Sequence, residues 1–97
     1  MKTSHDLKFL ENSTETLRAV AHPARIEIIS LLYHQGASTV TEIHEALAIE
    51  QAVASHHLRI LKGKGVVEAT RKGKNSYYAL TNKEFYTIIG TLRNLLA

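Results

Sequence analysis

Residues 49 to 80, IEQAVASHHLRILKGKGVVEATRKGKNSYYAL, put hydrogen-bonding side chains and cations where they can act together on a polyanion. Gln51, Ala52, Ser55, His56, Arg59 and Lys62 share one face of a helical pattern, and Val53, Ala54, His57, Leu58 and Leu61 share the other. On the polar face, Gln can pair bidentately with adenine and Ala can touch a thymine methyl. Ser and His can donate or accept, and Arg can take guanine or a phosphate. Base readout comes mainly from the N-terminal part of a helix in the major groove. Gln51, Ala52, Ser55 and His56 are therefore the candidates for base edges, and Arg59 and Lys62 for phosphates. The turn that follows carries Arg71, Lys72, Lys74 and Asn75 around Gly73. Long cationic side chains on such a tip can grip phosphates or enter a minor groove. Any amphipathic helix has a polar face, and a single lysine on a turn is an ordinary solvated residue. Both features in one continuous stretch favour duplex DNA.

The charge distribution points the same way. The 97-residue chain has a net charge of only +3, yet residues 55 to 76 hold six cations (Arg59, Lys62, Lys64, Arg71, Lys72, Lys74) against one acid, Glu68. A basic block on a near-neutral body is the footprint of a polyanion binder. Other chemistries find little support. There is no cysteine, which excludes disulfides, thiolate metal sites and thiol switches. The histidines (His5, His22, His34, His44, His56, His57) make no i, i+4 ligand pair on a helix. His57 reads as a semi-buried packing residue and His22, before Pro23, as a helix-entrance residue. His5, on the N-terminal arm, is the least excluded as a ligand. No G-x-S-x-G, P-loop or strand-borne G-x-G-x-x-G is present, so no enzyme and no cofactor is expected. The N-terminal stretch MKTSHDLKFLENS mixes charges without a long apolar run. It is not read as a signal peptide, and no span approaches the ~20 apolar residues of a membrane helix. A cytoplasmic protein is expected.

The elements that must position these residues follow from periodicity. Residues 1–97 read as one domain. A first helix is expected over about Thr3 to Val20, with Leu7, Leu10, Thr14 and Leu17 at helical spacing. Pro23 suits the first turn of a second helix, to about Tyr33. That helix buries Ala24, Ile28, Leu31 and Leu32 and turns Arg25 and Glu27 to water. Gly36-Ala37-Ser38 is a connector. Thr39-Val40-Thr41-Glu42 has the spacing of a capping box ahead of a short third helix, about Val40 to Ala48. A fourth, about Gln51 to Gly63, follows after too few residues for a long antiparallel arm, which is the helix-turn-helix arrangement. Val66 to Thr70 and Ser76 to Leu80 form a hairpin. A last helix carries Phe85, Ile88, Ile89, Leu92, Leu95 and Leu96 on one stripe. The fold expected is mainly α with a small β-hairpin, a winged helix-turn-helix in the order α-α-α-α-β-β-α. So short a chain buries little surface alone, and exposed apolar patches mark interfaces. A homodimer is expected through the last helix, with Phe85, Ile88, Ile89, Leu92 and Leu95.

Three stretches resemble the ArsR/SmtB family of bacterial winged-helix repressors: His22 through Leu32, Val53 through Leu61, and Gly65-Val66-Val67 through Tyr77-Tyr78-Ala79-Leu80. In the second, Ser55, His57, Leu58 and Leu61 match the family's S-x-H-L-x-x-L. The resemblance implies a homodimer, joined by the last helix and by Leu7, Leu10 and Leu17 of the first, that binds operator DNA, represses transcription and is released by an inducer. A twofold dimer sets two reading helices roughly 34 Å apart and so demands a near-palindromic operator. Where many members carry a Cys-x-Cys metal pair, this chain has Thr39 and Thr41. Near the positions of another metal set stand Asn82, Glu84 and Leu95. The resemblance therefore implies a repressor without a recognisable family metal site, and no residue names the inducer. The alternatives are a histidine-based metal sensor on the same scaffold and a winged-helix interaction module that does not bind DNA.

Overall fold

The computed structural model describes residues 4–97, with side chains from Asp6 onward. Thr3 and the His5 side chain, with the metal reading of His5, lie outside the described residues. The elements are α1 (Ser4–Val20), α2 (Pro23–Gln35), β1 (Ser38–Thr39), α3 (Val40–Leu47), α4 (Gln51–Gly63), β2 (Val67–Lys72), β3 (Asn75–Leu80) and α5 (Glu84–Leu96). This is the expected winged helix-turn-helix order, with one addition. Ser38 and Thr39, read from sequence as connector and cap, pair antiparallel with Tyr78 and Tyr77. The wing is thus part of a three-stranded sheet in the order β1-β3-β2.

Local chemistry sets the boundaries. His22 is the N-cap of α2, and its Nδ1 accepts from the Ala24 amide at 3.1 Å. Pro23 sits at the first helical position, where its missing N–H is no loss. The capping box of α3 forms in both directions: the Glu42 amide donates to Thr39 Oγ1 at 3.1 Å, and the Thr39 amide donates to Glu42 Oε1 at 2.9 Å. Ala48 ends α3 in the left-handed region at φ 56°, uncommon for a residue with a Cβ. At the wing tip the two-residue loop Gly73-Lys74 joins Lys72 to its partner Asn75. Gly73 there has φ 61°, the positive value such hairpin loops require.

The core lies where α2, α3, α4 and the start of β2 meet, with Ile28, Ile29, Ile43, Leu58, Leu61, Val66 and Val67 fully buried. The second helix's stripe differs from expectation: Ile29 is in the core, and Leu31 is only half-buried. Val53 is likewise exposed, not part of the packed face of α4. The α5 stripe divides in two. Ile89 is 5% exposed and belongs to the chain's own core, with Phe85 half-buried against it. Ile88, Leu92, Leu95 and Leu96 face outward, as do Leu7, Phe9, Leu10 and Leu17 on α1. Ile89, expected at the dimer interface, thus packs within the chain's own core instead of on the outward stripe. The Cα radius of gyration is 14.5 Å, against about 12.5 Å for a compact chain of this length. The excess reflects two apolar helices that the rest of the chain does not enclose.

Candidate nucleic-acid interface

The α4 helix presents two distinct faces. Ala54, His57, Leu58 and Leu61 are buried against the core, while Gln51, Ala52, His56, Arg59 and Lys62 are exposed and Ser55 is half-buried. All six residues picked from sequence for DNA contact thus lie off the packed face. The helix starts at Glu50, whose side chain makes no capping hydrogen bond. The first-turn amides remain available, and the N-terminal end of the dipole faces outward with them.

The wing follows directly. Val66 accepts the Thr81 amide at 3.1 Å and its own amide donates to Leu61 O at 2.9 Å, which ties the hairpin base to the end of α4. Arg71, Lys72, Lys74 and Asn75 are exposed around the tip. Arg71 Nε donates to Gly73 O at 3.3 Å, which holds the side chain along the loop and leaves the other guanidinium nitrogens outward. Lys72 Nζ lies 6.0 Å from the Tyr77 ring centroid, within cation–π range. Tyr77 and Tyr78 are both half-buried, and Tyr78 packs on the core. Among the described residues, none of Arg59, Lys62, Arg71, Lys72 or Lys74 is ion-paired, whereas Lys64 is held by Glu15 at 2.6 Å. Lys64 pulls the Glu15 carboxyl below its ordinary range by hydrogen bond and charge.

Sequence reasoning missed one participant. Arg25, assigned to water, is half-buried and reaches back to α4. Its Nε donates to His57 Nδ1 at 3.1 Å and its Nη1 to Ala19 O at 3.2 Å. The His22 ring lies 4.5 Å from His57, centroid to centroid. His57 is 6% exposed. Burial first, then the neighbouring His22, Arg25 and His56, hold its imidazolium below the usual histidine range. The only sequence signal was the pairing of an Arg in the first turn of α2 with a His on the packed face of α4.

Two of the residues weighed against a metal site, Thr39 and Asn82, have their side-chain oxygens engaged. Thr39 Oγ1 caps α3, and Asn82 Oδ1 accepts from the Glu84 amide at 2.8 Å. Among the described residues, no group of three or more His, Cys, Asp or Glu is placed to hold a metal ion.

Residues 22–69, the span from the α2 cap through the start of the wing, match the family model of bacterial regulatory proteins of the arsR family. The transcriptional repressor PagR of Bacillus anthracis is 37% identical over 83 residues, which are 86% of this chain and 83% of that protein. The chain belongs to the arsR family. The HTH-type transcriptional repressor SmtB of Mycobacterium tuberculosis is 37% identical over 82 residues, covering 84% of this chain and 60% of its own length. The crystal structure of PagR superposes with a TM-score of 0.79 at 36% identity, over 89% of this chain and 98% of that one. The solution structure of a homodimeric winged helix-turn-helix DNA-binding domain from Mycobacterium bovis superposes with a TM-score of 0.85 at 26% identity, over 98% and 87%. As an arsR-family member the chain is a DNA-binding transcriptional regulator and not an enzyme. No helix of the described residues is long and apolar enough to cross a membrane.

Proposed function

We propose that this chain is a homodimeric repressor that holds a near-palindromic operator with α4 and the wing, in the cytoplasm. The observation that carries the proposal is the division of α4: one face is buried in the core, and the other offers Gln51, Ala52, His56, Arg59 and Lys62 to solvent beside a tip of exposed cations that make no ion pair among the described residues. Gln51, Ala52, Ser55 and His56 meet base edges. Arg59 and Lys62 grip phosphates, and Arg71, Lys72, Lys74 and Asn75 hold the flanking backbone.

The dimer is supported by the exposed apolar faces of α1 and α5. Phe9, Leu17 and Ile88 line an open groove of about 520 Å³ with Asn12, Ser13 and Thr16. A second copy would cover Leu7, Leu10, Leu17, Ile88, Leu92 and Leu95. The M. bovis neighbour is itself homodimeric. In this reading release does not use the family's metal sites, because Thr39 and Thr41 are no ligands for soft metals, and Asn82, Glu84 and Leu95 supply a single carboxylate; Thr39 Oγ1 also caps α3 and Asn82 Oδ1 accepts from the Glu84 amide. Selection from a random duplex pool, followed by anisotropy titration and sedimentation, tests this reading. The expected result is an inverted-repeat consensus bound by two protomers. Enrichment of no duplex, or of a single asymmetric half-site bound by one protomer, would overturn it.

A further inference from the structure

Arg25 occupies a junction that local chemistry creates. In a continuous helix the Ala19 carbonyl would accept from residue 23, four positions on. Residue 23 is proline, which has no N–H. Ala19 O is thus left free in the last turn of α1, and Arg25 Nη1 takes it at 3.2 Å. The same guanidinium donates through Nε to His57 Nδ1 at 3.1 Å. One side chain therefore connects the helix proposed to dimerise with the helix proposed to read DNA. The start of α4 packs on the core through Ala54 and lacks a side-chain cap at Glu50, so the Arg25 contact adds a polar tie to a helix otherwise held by packing.

The contact has a chemical condition. An Nδ1 that accepts from Arg25 has no proton, so the neutral ring carries its proton on Nε2. A protonated ring has two N–H donors and no acceptor, and it would face the Arg25 guanidinium with like charge. We propose that Arg25 is a positioning residue for the DNA-reading helix, acting through His57 only while that ring is neutral, so that operator discrimination falls as pH falls. The proposal rests on the DNA reading above.

Among the described residues, no carboxylate is hydrogen-bonded to His57. Arg25 and His22 face it from α2 and its cap, and His56 from α4 itself. The α1 helix brings Arg18 and Glu15 to the groove that Arg25 also lines, with Glu15 tied to Lys64. Glu42 and Glu45 on α3 and Glu68 on β2, elements packed on α4, make no hydrogen bond to His57; Glu42 is spent on its capping box. Burial first, then the neighbouring His22, Arg25 and His56, oppose protonation. When protonation does occur, α4 loses its tie while the protein gains positive charge. Affinity for any duplex is then maintained or raised, and selectivity is what falls.

The test compares the selected duplex with a scrambled duplex of equal length between pH 7.5 and 5.5, and follows the DNA-free protein by NMR. For the wild type, the specific-to-scrambled affinity ratio should fall, by up to about tenfold per pH unit below the His57 pKa. His57→Asn, whose amide oxygen can accept near the Nδ1 position, should keep the ratio and lose its pH dependence. Arg25→Met should lower the ratio at pH 7.5 and flatten the profile, and Arg25→Lys, which retains a donor, should restore part of both. His34→Gln, at an exposed position on α2 outside the DNA-reading face, should keep the wild-type decline. In wild-type NMR spectra, the α4 amides should move with the His57 titration, an arm that holds even where a variant fails to fold. A wild-type pH profile in His57→Asn, or α4 amides that stay fixed through the His57 titration, would overturn the proposal. A protein that binds no duplex at any pH would instead overturn the DNA reading, and the NMR arm would still decide whether Arg25 positions α4.

Discussion

Changing Arg71 and Lys74 to Ala together should flatten the salt dependence of DNA binding by an amount the structure allows to be worked out. Arg59, Lys62, Arg71, Lys72 and Lys74 are exposed, and none is ion-paired among the described residues; Lys64 is excluded because Glu15 holds it. Each phosphate neutralised contributes about −0.9 to the slope of log K against log salt, so a dimer engaging all of these residues would show a slope of about −9. Removing two per protomer leaves a slope of about −5.4. Between 50 and 200 mM salt the wild type should lose about 10⁵-fold in affinity and the double variant about 10³-fold. Fluorescence anisotropy on the selected duplex and on a scrambled one, over that salt range, measures both slopes. The two duplexes should lose affinity alike, because phosphate contacts carry no sequence information. A slope that shifts by less than about one unit would remove the wing from the interface, whatever the change in affinity.

Four further outcomes are expected. Leu61→Ala should lower the unfolding free energy by about 2–5 kcal/mol, because Leu61 is fully buried and truncation leaves a cavity; urea titration that shows a loss below ~1 kcal/mol would mean the site collapses. Thr39→Ala should cost about 1 kcal/mol by the same assay and Thr39→Ser much less, since a serine hydroxyl can still cap α3. His57 binds its proton less readily folded than unfolded. Its contribution to stability is therefore complete above about pH 6.5 and falls as pH drops from there toward the folded pKa. Urea midpoints should decline over that window in the wild type and not in His57→Asn, and equal declines would rule out His57 as the cause. Ile88→Glu with Leu92→Glu should yield folded monomers by sedimentation equilibrium, and an intact dimer would move the interface elsewhere.

The sequence made legible what local pattern dictates. The bounds of α4, Gln51–Gly63, followed from its two-faced periodicity and the glycines after it. The Thr39–Glu42 box and the role of His22 at the α2 cap are contacts between near neighbours, which spacing reveals. Non-local contacts were hidden. Arg25 reads as a surface residue beside Glu27, yet its side chain finds a partner 32 positions away. The β1 strand is two residues long and has no alternation to announce it. Ile89 and Ile88 are adjacent apolar residues, and composition cannot tell which one the chain buries itself. For the interface, exposure of the α4 face and the wing tip agrees with the residues chosen, while their contacts with DNA rest on chemistry and family resemblance.

The two-residue strand β1 carries a mechanical consequence. Thr39 caps α3 and is also paired with Tyr77 of the wing. The far end of the hairpin base is bonded to the end of α4. Helix-turn-helix and wing are thereby fastened at two points, so each protomer's reading head moves as one piece. In the proposed dimer, a separate freedom lies in the angle at which α1 and α5 meet their copies. Such an assembly behaves as a pair of calipers. Any signal that turns the α1–α5 joint changes the gap between two unaltered jaws. A duplex can then be released without disturbing a single base-reading side chain, by setting the half-sites out of step with the heads that read them.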